Sequence, residues 1–425
     1  MQMNTEWKIL MNNFKIPKIR FMNYNDKWDY KTLDEISNSI EYGINAPAKD
    51  FDGIHKYLRI TDIDDASRLF LTDKLSSPDI NFTVGDYENY KLQKNDLLFA
   101  RTGASVGKTY LYRKTDGKVY YAGFLIRARL RDSYDGNFVF QQTLTDKYKQ
   151  FIEITSQRSG QPGVNGKEYG EWKIGMTSYH EQSAIGSLFR TLDDLLTSYK
   201  ENLANYQSLK TTMLSKMFPK AGQAVPEIRL DGFKGEWEIN KLNKYLTVSK
   251  QKNTQLKFDK EDVLSVSGEF GIINQIQFQG RYFAGASVEM YSIVDTGNIV
   301  YTKSPLKANP YGIIKTNYGI PGIVSTLYAV YLPNENVFPG FVERYFENDL
   351  RLNSYLKPLV NKGAKNDMKV SDENALLGAV IFPQLEEQVA ISDYFTNLDK
   401  FIQSHKDKIT QLEILKKKLL QNMFI

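Results

Sequence analysis

The sequence contains no cysteine, and its three histidines, His55, His180 and His405, lie far apart along the chain. These absences exclude a disulfide framework and leave no histidine or cysteine spacing typical of a zinc site. The chain also lacks any run of about 18 apolar residues, so no membrane-spanning helix is predicted. Because the N-terminal residues show no basic segment followed by a long apolar one, we expect a cytoplasmic protein.

A strong excess of one charge is missing too. Lysine and arginine number 55 against 50 aspartates and glutamates, which gives a formal net charge of +5. Such a balance permits a polyanionic partner without requiring one. With 41% hydrophobic and 13% aromatic residues, the composition is that of a folded protein. At about 150 residues per domain, a chain of 425 residues predicts two or three domains.

The C-terminal part of the chain repeats a segment from its middle. Residues 387–424 align without gaps on residues 181–218, at an offset of 206 (387 minus 181), and both copies begin with Glu-Gln and end with Met-Phe. Gap-free matching over such a length indicates an internal duplication. Further identical pairs are Ile185/Ile391, Phe189/Phe395, Leu192/Leu398, Asp193/Asp399 and Lys210/Lys416.

A second repeated motif opens each half of the chain at an offset of 209 residues, where Pro17, Ile19, Arg20, Trp28 and Leu33 fall on Pro226, Ile228, Arg229, Trp237 and Leu242. The duplication predicts two large domains, residues 1–180 and 219–386, each followed by a helix, residues 181–218 and 387–425. The domains have diverged far more than the helices. That divergence fits either two different specificities on one scaffold or neutral drift.

The repeated helices have the spacing of a coiled-coil seam. Apolar residues recur at alternating steps of three and four, as in Ile185, Leu188, Leu192 and Leu195. Each copy would extend for about 55 Å at about 1.5 Å per residue, and we expect the two to pack on each other. Antiparallel packing, with one domain at each end and a pseudo-twofold axis, is the simpler arrangement. Ordinary packing of domain helices is the alternative.

Each large domain is predicted to be α+β. Aromatic and β-branched runs at 119–130 and 323–332 are typical of strands. Residues 138–155 and 341–360 have helical patterns. The predicted fold class is therefore two α+β domains separated by two long helices that form an antiparallel coiled coil.

One turn in the first domain, 101-RTGASVGKT-109, is similar to a phosphate-binding loop. A Walker A loop needs four residues between its first glycine and its Gly-Lys pair, whereas Gly103 and Gly107 enclose three, so we reject nucleotide binding. Arginine, lysine and short polar side chains can contact base edges and phosphates. The turn is therefore a candidate DNA contact, or alternatively a structural β-turn, and its candidate residues are Arg101, Thr102, Ser105 and Lys108.

The second domain has a comparable segment after the strand that ends near Tyr301, with Lys303, Ser304 and Lys307 as counterpart candidates. Its Asn-Pro-Tyr at 309–311 is interpreted as a turn. Polar, glycine-bearing segments also precede both long helices, at 156–170 and 361–371. They are either DNA contacts or ordinary exposed loops, and their candidate residues are Arg158, Gln161, Lys362, Lys365 and Asn366.

With these residues in hand, the whole chain resembles the specificity subunit of type I restriction-modification systems. The resemblance rests on the duplicated Pro-x-Ile-Arg motif with Trp28 or Trp237, on the Arg-Thr-Gly-x-x-x-Gly-Lys turn, and on 383-PQLEEQVAISDYF-395. The first copy of the last motif, 177-TSYHEQSAIGSLF-189, lacks the proline.

The resemblance implies that each domain is a target recognition domain for one half of a bipartite double-stranded DNA site. It implies that the helices space the domains and hold two modification subunits, which methylate adenine, and that restriction subunits with motor and nuclease activity join this core. S-adenosylmethionine, ATP and Mg²⁺ are then expected on the partner subunits, with no cofactor or metal on this chain. A span of about 55 Å corresponds to about 16 base pairs, which suits two half-sites with an unread gap.

No catalytic motif stands out in the sequence, and we expect the chain to be non-catalytic. A stand-alone sequence-specific DNA-binding or antirestriction protein is the main alternative, and tight binding by the chain alone would favour it. A nuclease or methyltransferase with a degenerate motif would keep its activity without partners. A purely structural coiled-coil adaptor would show no salt-dependent DNA affinity.

Overall fold

The computed structural model describes residues 16–281, 287–303, 305–360 and 370–425. The chain divides into two compact units, one of Met1–Glu201 with Lys406–Ile425 and the other of Asn202–His405. The long helices do not form compact units of their own, because each contributes residues to both units.

The described part of the first unit, from residue 16 on, contains ten strands and five α-helices, and the fifth helix continues beyond the unit. The strands are β1 (Asp29–Thr32), β2 (Ser37–Tyr42), β3 (Ala48–Asp50), β4 (Lys56–Leu58), β5 (Ser76–Pro78), β6 (Asp96–Ala100), β7 (Thr109–Leu111), β8 (Val119–Tyr121), β9 (Leu125–Leu130) and β10 (Lys173–Met176). The helices are α1 (Leu33–Ile36), α2 (Gly136–Gln142), α3 (Asp146–Thr155), α4 (Gly166–Gly170) and α5 (Tyr179–Lys216).

Among its described residues, the second unit contains a further ten strands and four α-helices, of which the last continues beyond the unit. Its strands are β11 (Glu238–Lys241), β12 (Leu246–Val248), β13 (Leu264–Ser267), β14 (Gly271–Asn274), β15 (Ser292–Val294), β16 (Ile299–Thr302), β17 (Ile313–Thr316), β18 (Gly322–Val324), β19 (Tyr328–Pro333) and β20 (Ala379–Phe382). Its helices are α6 (Gln275–Gln279), α7 (Pro339–Phe346), α8 (Asp349–Leu356) and α9 (Leu385–Asn422).

The two units share the topology of their main sheet and of the pair formed by their first and last strands. A four-stranded antiparallel sheet has the order β2-β9-β6-β7 in the first unit and β12-β19-β16-β17 in the second. In both, a separate antiparallel pair joins the first and last strands of the domain, β1 with β10 and β11 with β20. The duplication predicted from the helices and the opening motifs therefore extends through the divergent domains.

The α+β class is confirmed, although several predicted elements are split. Residues 119–130 form β8 and β9 around a turn, and 138–155 form α2 and α3. The break between these helices has a local cause, because the Thr145 side chain accepts a hydrogen bond from the Tyr148 amide and caps α3. Asn348 caps α8 in the same way, by accepting from the Arg351 amide.

Four aromatic side chains pack together in the core of each unit. In the first unit Phe424 packs on Trp28, Phe138 and Phe189, with ring centroids 5.5–6.3 Å apart. In the second unit Phe218 packs in the same way, at 5.7–6.2 Å, on Trp237, Phe341 and Phe395. The Met-Phe end of each repeated helix is thus a core residue pair, which explains why both copies contain it.

An Arg–Glu pair joins each domain to the start of its own long helix. Arg20 donates two hydrogen bonds to Glu181, over 2.6 and 2.7 Å, and Arg229 donates two to Glu387, over 2.7 and 2.6 Å. Both carboxylates are buried, so their charges depend on the arginines. The hydrogen bonds from Arg20 to Glu181 raise the pKa of Arg20.

The glutamine after each of these glutamates binds the residue that precedes a domain helix, α2 in the first unit and α7 in the second. The Gln182 side chain accepts from the Asp135 amide over 3.1 Å and donates to Thr177 O over 2.7 Å. Gln388 accepts from the Phe338 amide over 2.9 Å and donates to Pro383 O over 2.9 Å. The Glu-Gln dipeptide that begins both sequence repeats therefore binds each domain to its helix.

Within each unit, the segments of the two long helices run antiparallel. In the first unit Lys200 pairs with Glu413, and Asp193 with Lys416. In the second unit Tyr206 stacks on Phe401, and Lys210 pairs with Asp399. The contacts advance along one helix as they recede along the other, which confirms the antiparallel coiled coil predicted from the spacing.

Candidate nucleic-acid interface

The turn predicted to contact DNA joins β6 to β7 in the four-stranded sheet of the first unit. Two of its glycines, Gly103 and Gly107, have φ angles of 77° and 82°, a region that favours glycine. A single 3₁₀ turn occupies Gly103–Ser105. At Gly107 a side chain would also meet Ile152, whose atoms lie within 3.0 Å of the position of a Cβ.

The backbone amides of this turn are used internally. The Gly107 amide donates to Ala100 O over 3.0 Å, and the Gly103 amide donates to Pro162 O over 3.0 Å. The Tyr148 hydroxyl donates to Gly107 O over 3.0 Å, and the Tyr169 hydroxyl to Ala100 O over 2.7 Å. A phosphate loop needs free amides that point to the ligand, so this geometry agrees with the rejection of nucleotide binding.

Lys108 requires a correction to the candidate set. Its side chain is only 8% exposed. The Nζ atom donates to Ile63 O over 2.7 Å and lies 2.6 Å from Asp65 Oδ1, and it lowers the pKa of Asp65 through that contact. The ammonium group ties the turn to the segment after β4, so it is not available to a DNA groove. The sequence could not show this because Asp65 and Lys108 are distant along the chain.

Gln161, predicted from the polar segment before the first long helix, lies against the same turn. Thr102 forms an antiparallel bridge with Gly163, and Gln161 Nε2 would be 2.9 Å from a Cβ at Gly103. Ser105 is part of the 3₁₀ turn and half-buried. The structure thus brings together two segments that the sequence presented separately.

Arg158 is exposed but already engaged by its own segment. Its guanidinium group donates to Thr155 O and Gln157 O, both over 2.9 Å, and also to Glu168. Contact with DNA would have to compete with the Glu168 carboxylate.

Arg101 directly follows β6, and both its amide and its carbonyl form backbone hydrogen bonds. Its amide donates to Phe124 O over 3.1 Å, and its carbonyl accepts from the Val164 amide over 2.9 Å. The guanidinium carbon lies 5.1 Å from the centre of the Tyr42 ring and 5.7 Å from that of Phe124. These are cation–π distances.

The second unit has Lys303 at the equivalent position after β16. The Lys303 amide donates to Leu327 O over 3.2 Å, as the Arg101 amide does to Phe124 O. The Lys303 ammonium pairs with Asp372 over 2.9 Å, and Lys307 is exposed. The other candidates of this unit, Ser304, Lys362, Lys365 and Asn366, lie outside the described residues.

The Asn-Pro-Tyr segment at 309–311 is a turn, as predicted. The Gly312 amide donates to Asn309 O over 3.0 Å, and the Asn309 side chain donates to Asp349 over 2.9 Å. This asparagine is therefore occupied by α8.

Sequence reasoning did not identify Tyr42 and Phe124 as part of this surface. Both are aromatic residues with exposed fractions of 42% and 59%; Tyr42 ends β2, and Phe124 immediately precedes β9 of the four-stranded sheet. The turn Ala122–Phe124, which interrupts the run at 119–130, could have indicated Phe124. A large apolar residue in a turn is commonly exposed for contact.

The described ranges contain neither a metal-binding cluster nor a membrane-spanning helix. Across residues 16–281, 287–303, 305–360 and 370–425, no group of three or more histidine, aspartate or glutamate side chains could hold a metal ion. In the same part of the chain, the helices are too short or too polar to cross a membrane.

No protein-family model matches the sequence. Among solved structures, the chain is similar to the S subunit of a type I restriction-modification system from M. genitalium, with a TM-score of 0.60 at 15% sequence identity. The match covers 96% of this chain and 99% of that chain. The chain has the S-subunit fold. Two α+β domains with two antiparallel long helices are the architecture expected from the sequence.

Two other solved chains also match this chain over most of its length. The HsdS subunit from Thermoanaerobacter tengcongensis is 16% identical over 93% of this chain and 96% of its own, with a TM-score of 0.43. A chain from a type I restriction-modification complex is 14% identical over 92% and 96%, with a TM-score of 0.42. At such scores the two likenesses add nothing to the assignment of the fold.

Proposed function

We propose that this protein is the DNA sequence-recognition subunit of a type I restriction-modification system. Each domain binds one half of a bipartite double-stranded DNA site, and the long helices hold modification subunits that methylate adenine. The chain itself is non-catalytic. S-adenosylmethionine, ATP and Mg²⁺ belong to the modification and restriction subunits.

One observation carries this proposal. Two domains of the same topology but different sequence are joined to the two repeated helices by matched contacts, Arg20–Glu181 in the first unit and Arg229–Glu387 in the second. The scaffold contacts are kept while the surfaces of the domains differ. That combination suits a protein that presents two different DNA-reading surfaces from one frame.

In the first unit the proposed DNA contacts are Arg101, Thr102, Ser105 and Gln161, which lie on adjoining segments. In the second unit they are Lys303 and Lys307, together with Ser304 and the segment that contains Lys362, Lys365 and Asn366. Arg158 joins them if DNA displaces Glu168. Lys108 is left out because its ammonium group is buried.

A domain exchange tests the proposal. Residues 14–180 are replaced by the corresponding domain of another S subunit, and methylated adenines are mapped in a genome that carries the complete system. We expect one half of the methylated site to change while the other half and the gap remain. A site that is unaltered, or altered in both halves, would contradict the assignment.

The helices are tested separately as a spacer. Seven residues, two helical turns, are inserted after Glu201 and after Asp407, which are equivalent at the offset of 206. Because seven residues preserve the face of a coiled coil and add about 10 Å, the gap between half-sites should lengthen by about three base pairs. Insertion in one helix alone is the control and should disrupt assembly. An unchanged gap in the double insertion would remove the spacer role.

A further inference from the structure

Arg101 differs from the other arginines of the central sheet in having no acidic partner. Arg127 is fully buried and pairs with Glu41, and Arg129 pairs with Asp96 over 2.8 Å. Among the described residues, no carboxylate pairs with Arg101, and its Nε atom is buried without a hydrogen-bond partner. A guanidinium group without an ion pair is poorly explained by stability alone.

Two aromatic rings lie at cation–π distance from this guanidinium group, with ring centres 5.1 Å (Tyr42) and 5.7 Å (Phe124) from its carbon. Tyr42 is itself held by its hydroxyl, which accepts from the Gly166 amide over 3.0 Å. Phe124 is 59% exposed and has its carbonyl bound by the Arg101 amide. Because Nε is buried, the two terminal nitrogens are the donors that remain for a ligand. Contact with the two rings also reduces the side-chain entropy that binding would cost.

We propose that Arg101 reads a guanine in the half-site bound by the first unit, with Tyr42 and Phe124 as positioning residues. This inference rests on the proposed function. The planar pair of donors of a guanidinium group matches the O6 and N7 acceptors that guanine presents in the major groove. Thr102 in the same turn and Gln161 on the adjoining segment supply further polar groups.

The equivalent position of the second unit lacks this arrangement. Lys303 replaces the arginine, Leu327 replaces the aromatic residue, and Asp372 neutralises the ammonium group. A lysine paired with a carboxylate is a weaker and less directional donor to a base edge than a stacked arginine. The guanine contact therefore belongs to the first half-site only.

The test is a selection from a random duplex library by the full-length chain assembled with its modification subunits. The variants are Arg101→Gln, Arg101→Ala and Phe124→Leu, the last of which copies the second unit. The matched control is Lys94→Gln, which removes one exposed charge just before β6, at the end of that strand opposite Arg101. Thermal unfolding of each variant verifies that the first unit is folded.

The wild-type protein should select a G·C pair at one position of one half-site. Both Arg101 variants should lower that preference by roughly 5-fold to 150-fold, the range for one bidentate base contact, and leave the other positions unchanged. Phe124→Leu should weaken the same position to a smaller degree, and Lys94→Gln should change none.

Two results would overturn the inference while the proposed function stands. One is a uniform loss of affinity across all sequences in the Arg101 variants, with a salt dependence reduced by about one charge, which indicates a phosphate contact. The other is an unchanged site. Failure of the wild-type complex to select any bipartite sequence would instead refute the proposed function, and the inference with it.

Discussion

Lys416 donates a hydrogen bond to Asp193 over 2.5 Å, and the equivalent residues Lys210 and Asp399 make the reciprocal contact over 2.6 Å in the second unit. In each case the lysine comes from the end of one repeated helix and the aspartate from the beginning of the other. The sequence repeat places identical residues at both ends of each helix. An antiparallel pair then makes the same contact twice, which explains the identity of these residues in the two copies.

Lys416→Met should loosen the helix pair of the first unit. Asp193 would keep only the hydrogen bond from Gln141, over 2.9 Å, and would lose a charged partner in a partly buried site. We expect a loss of about 2 kcal/mol, measured as faster hydrogen exchange in peptides of residues 179–201 and 406–425. Lys149→Met, which removes an exposed ion pair with Asp146, should change exchange little. Equal effects of the two variants would refute a special role for the Lys416 pair.

Arg20→Met should destabilise the first unit by about 3–5 kcal/mol, because it leaves the fully buried Glu181 carboxylate without its cation. Arg229→Met should do the same in the second unit through Glu387. Denaturant unfolding measures both. Adding Glu181→Leu to Arg20→Met should recover most of the loss, since no unpaired buried charge remains. A double variant as unstable as the single one would show that the cost lies in packing and not in charge.

Phe218→Ala should cost about 3–5 kcal/mol, since the ring is fully buried among Trp237, Phe341 and Phe395. Phe424→Ala should have a comparable effect on the first unit. Thermal unfolding gives the comparison with Leu350→Ala, whose side chain is 80% exposed and whose effect should be within about 0.5 kcal/mol. Similar midpoints for Phe218→Ala and Leu350→Ala would contradict the proposed core role.

A circular permutant of the chain should fold and, under the proposed function, keep the same DNA site. The Ile228 amide donates to Lys216 O over 3.0 Å, and the equivalent Ile19 amide donates to Asn422 O over 2.9 Å. The end of α9 therefore contacts the opening motif of the first domain in the same way as the end of α5 contacts the opening motif of the second domain. Residues 217–227 connect α5 to that motif along the chain.

The permutant joins Ile425 to Ile16 by a flexible linker and opens the chain within 219–225, where the backbone is mostly exposed. Adenine methylation in a genome carrying the system is the measurement. A chain opened inside β16, a buried central strand, is the control and should not fold. Loss of methylation in the first permutant, with the protein soluble, would argue against the equivalence of the two junctions.

The sequence was sufficient to predict the helices and their partners because the signals involved are local or repeated. The steps of three and four from Ile185 to Leu195 depend on helix geometry alone. The offset of 206 identified Phe218 and Phe424 as equivalent before any contact was known. Strand positions near 119–130 and 323–332 were also correct, although the turns within these runs were not predicted, since single turn residues such as Gly123 carry little information in a β-rich context.

The candidate DNA surface was predicted only in part. Arg101, Thr102 and Gln161 were identified by residue type, and the structure brings their segments together. Their contact with DNA stays a prediction. Residue type failed at Lys108, because the burial of a lysine depends on which carbonyl oxygens and carboxylates surround its ammonium group.

By itself, the sequence determined that this protein is a duplicated chain and predicted two domains with two long helices, because periodicity and repetition are properties of the chain order. Only the tertiary structure decided which cations are free and which are neutralised. The Arg101 guanidinium group lies at cation–π distance from Tyr42 and Phe124, while Lys108 is enclosed by residues 60–65. These partners are separated by more than 20 residues in each case, and their proximity follows from strand pairing in the folded sheet, where register and burial are set by the whole domain.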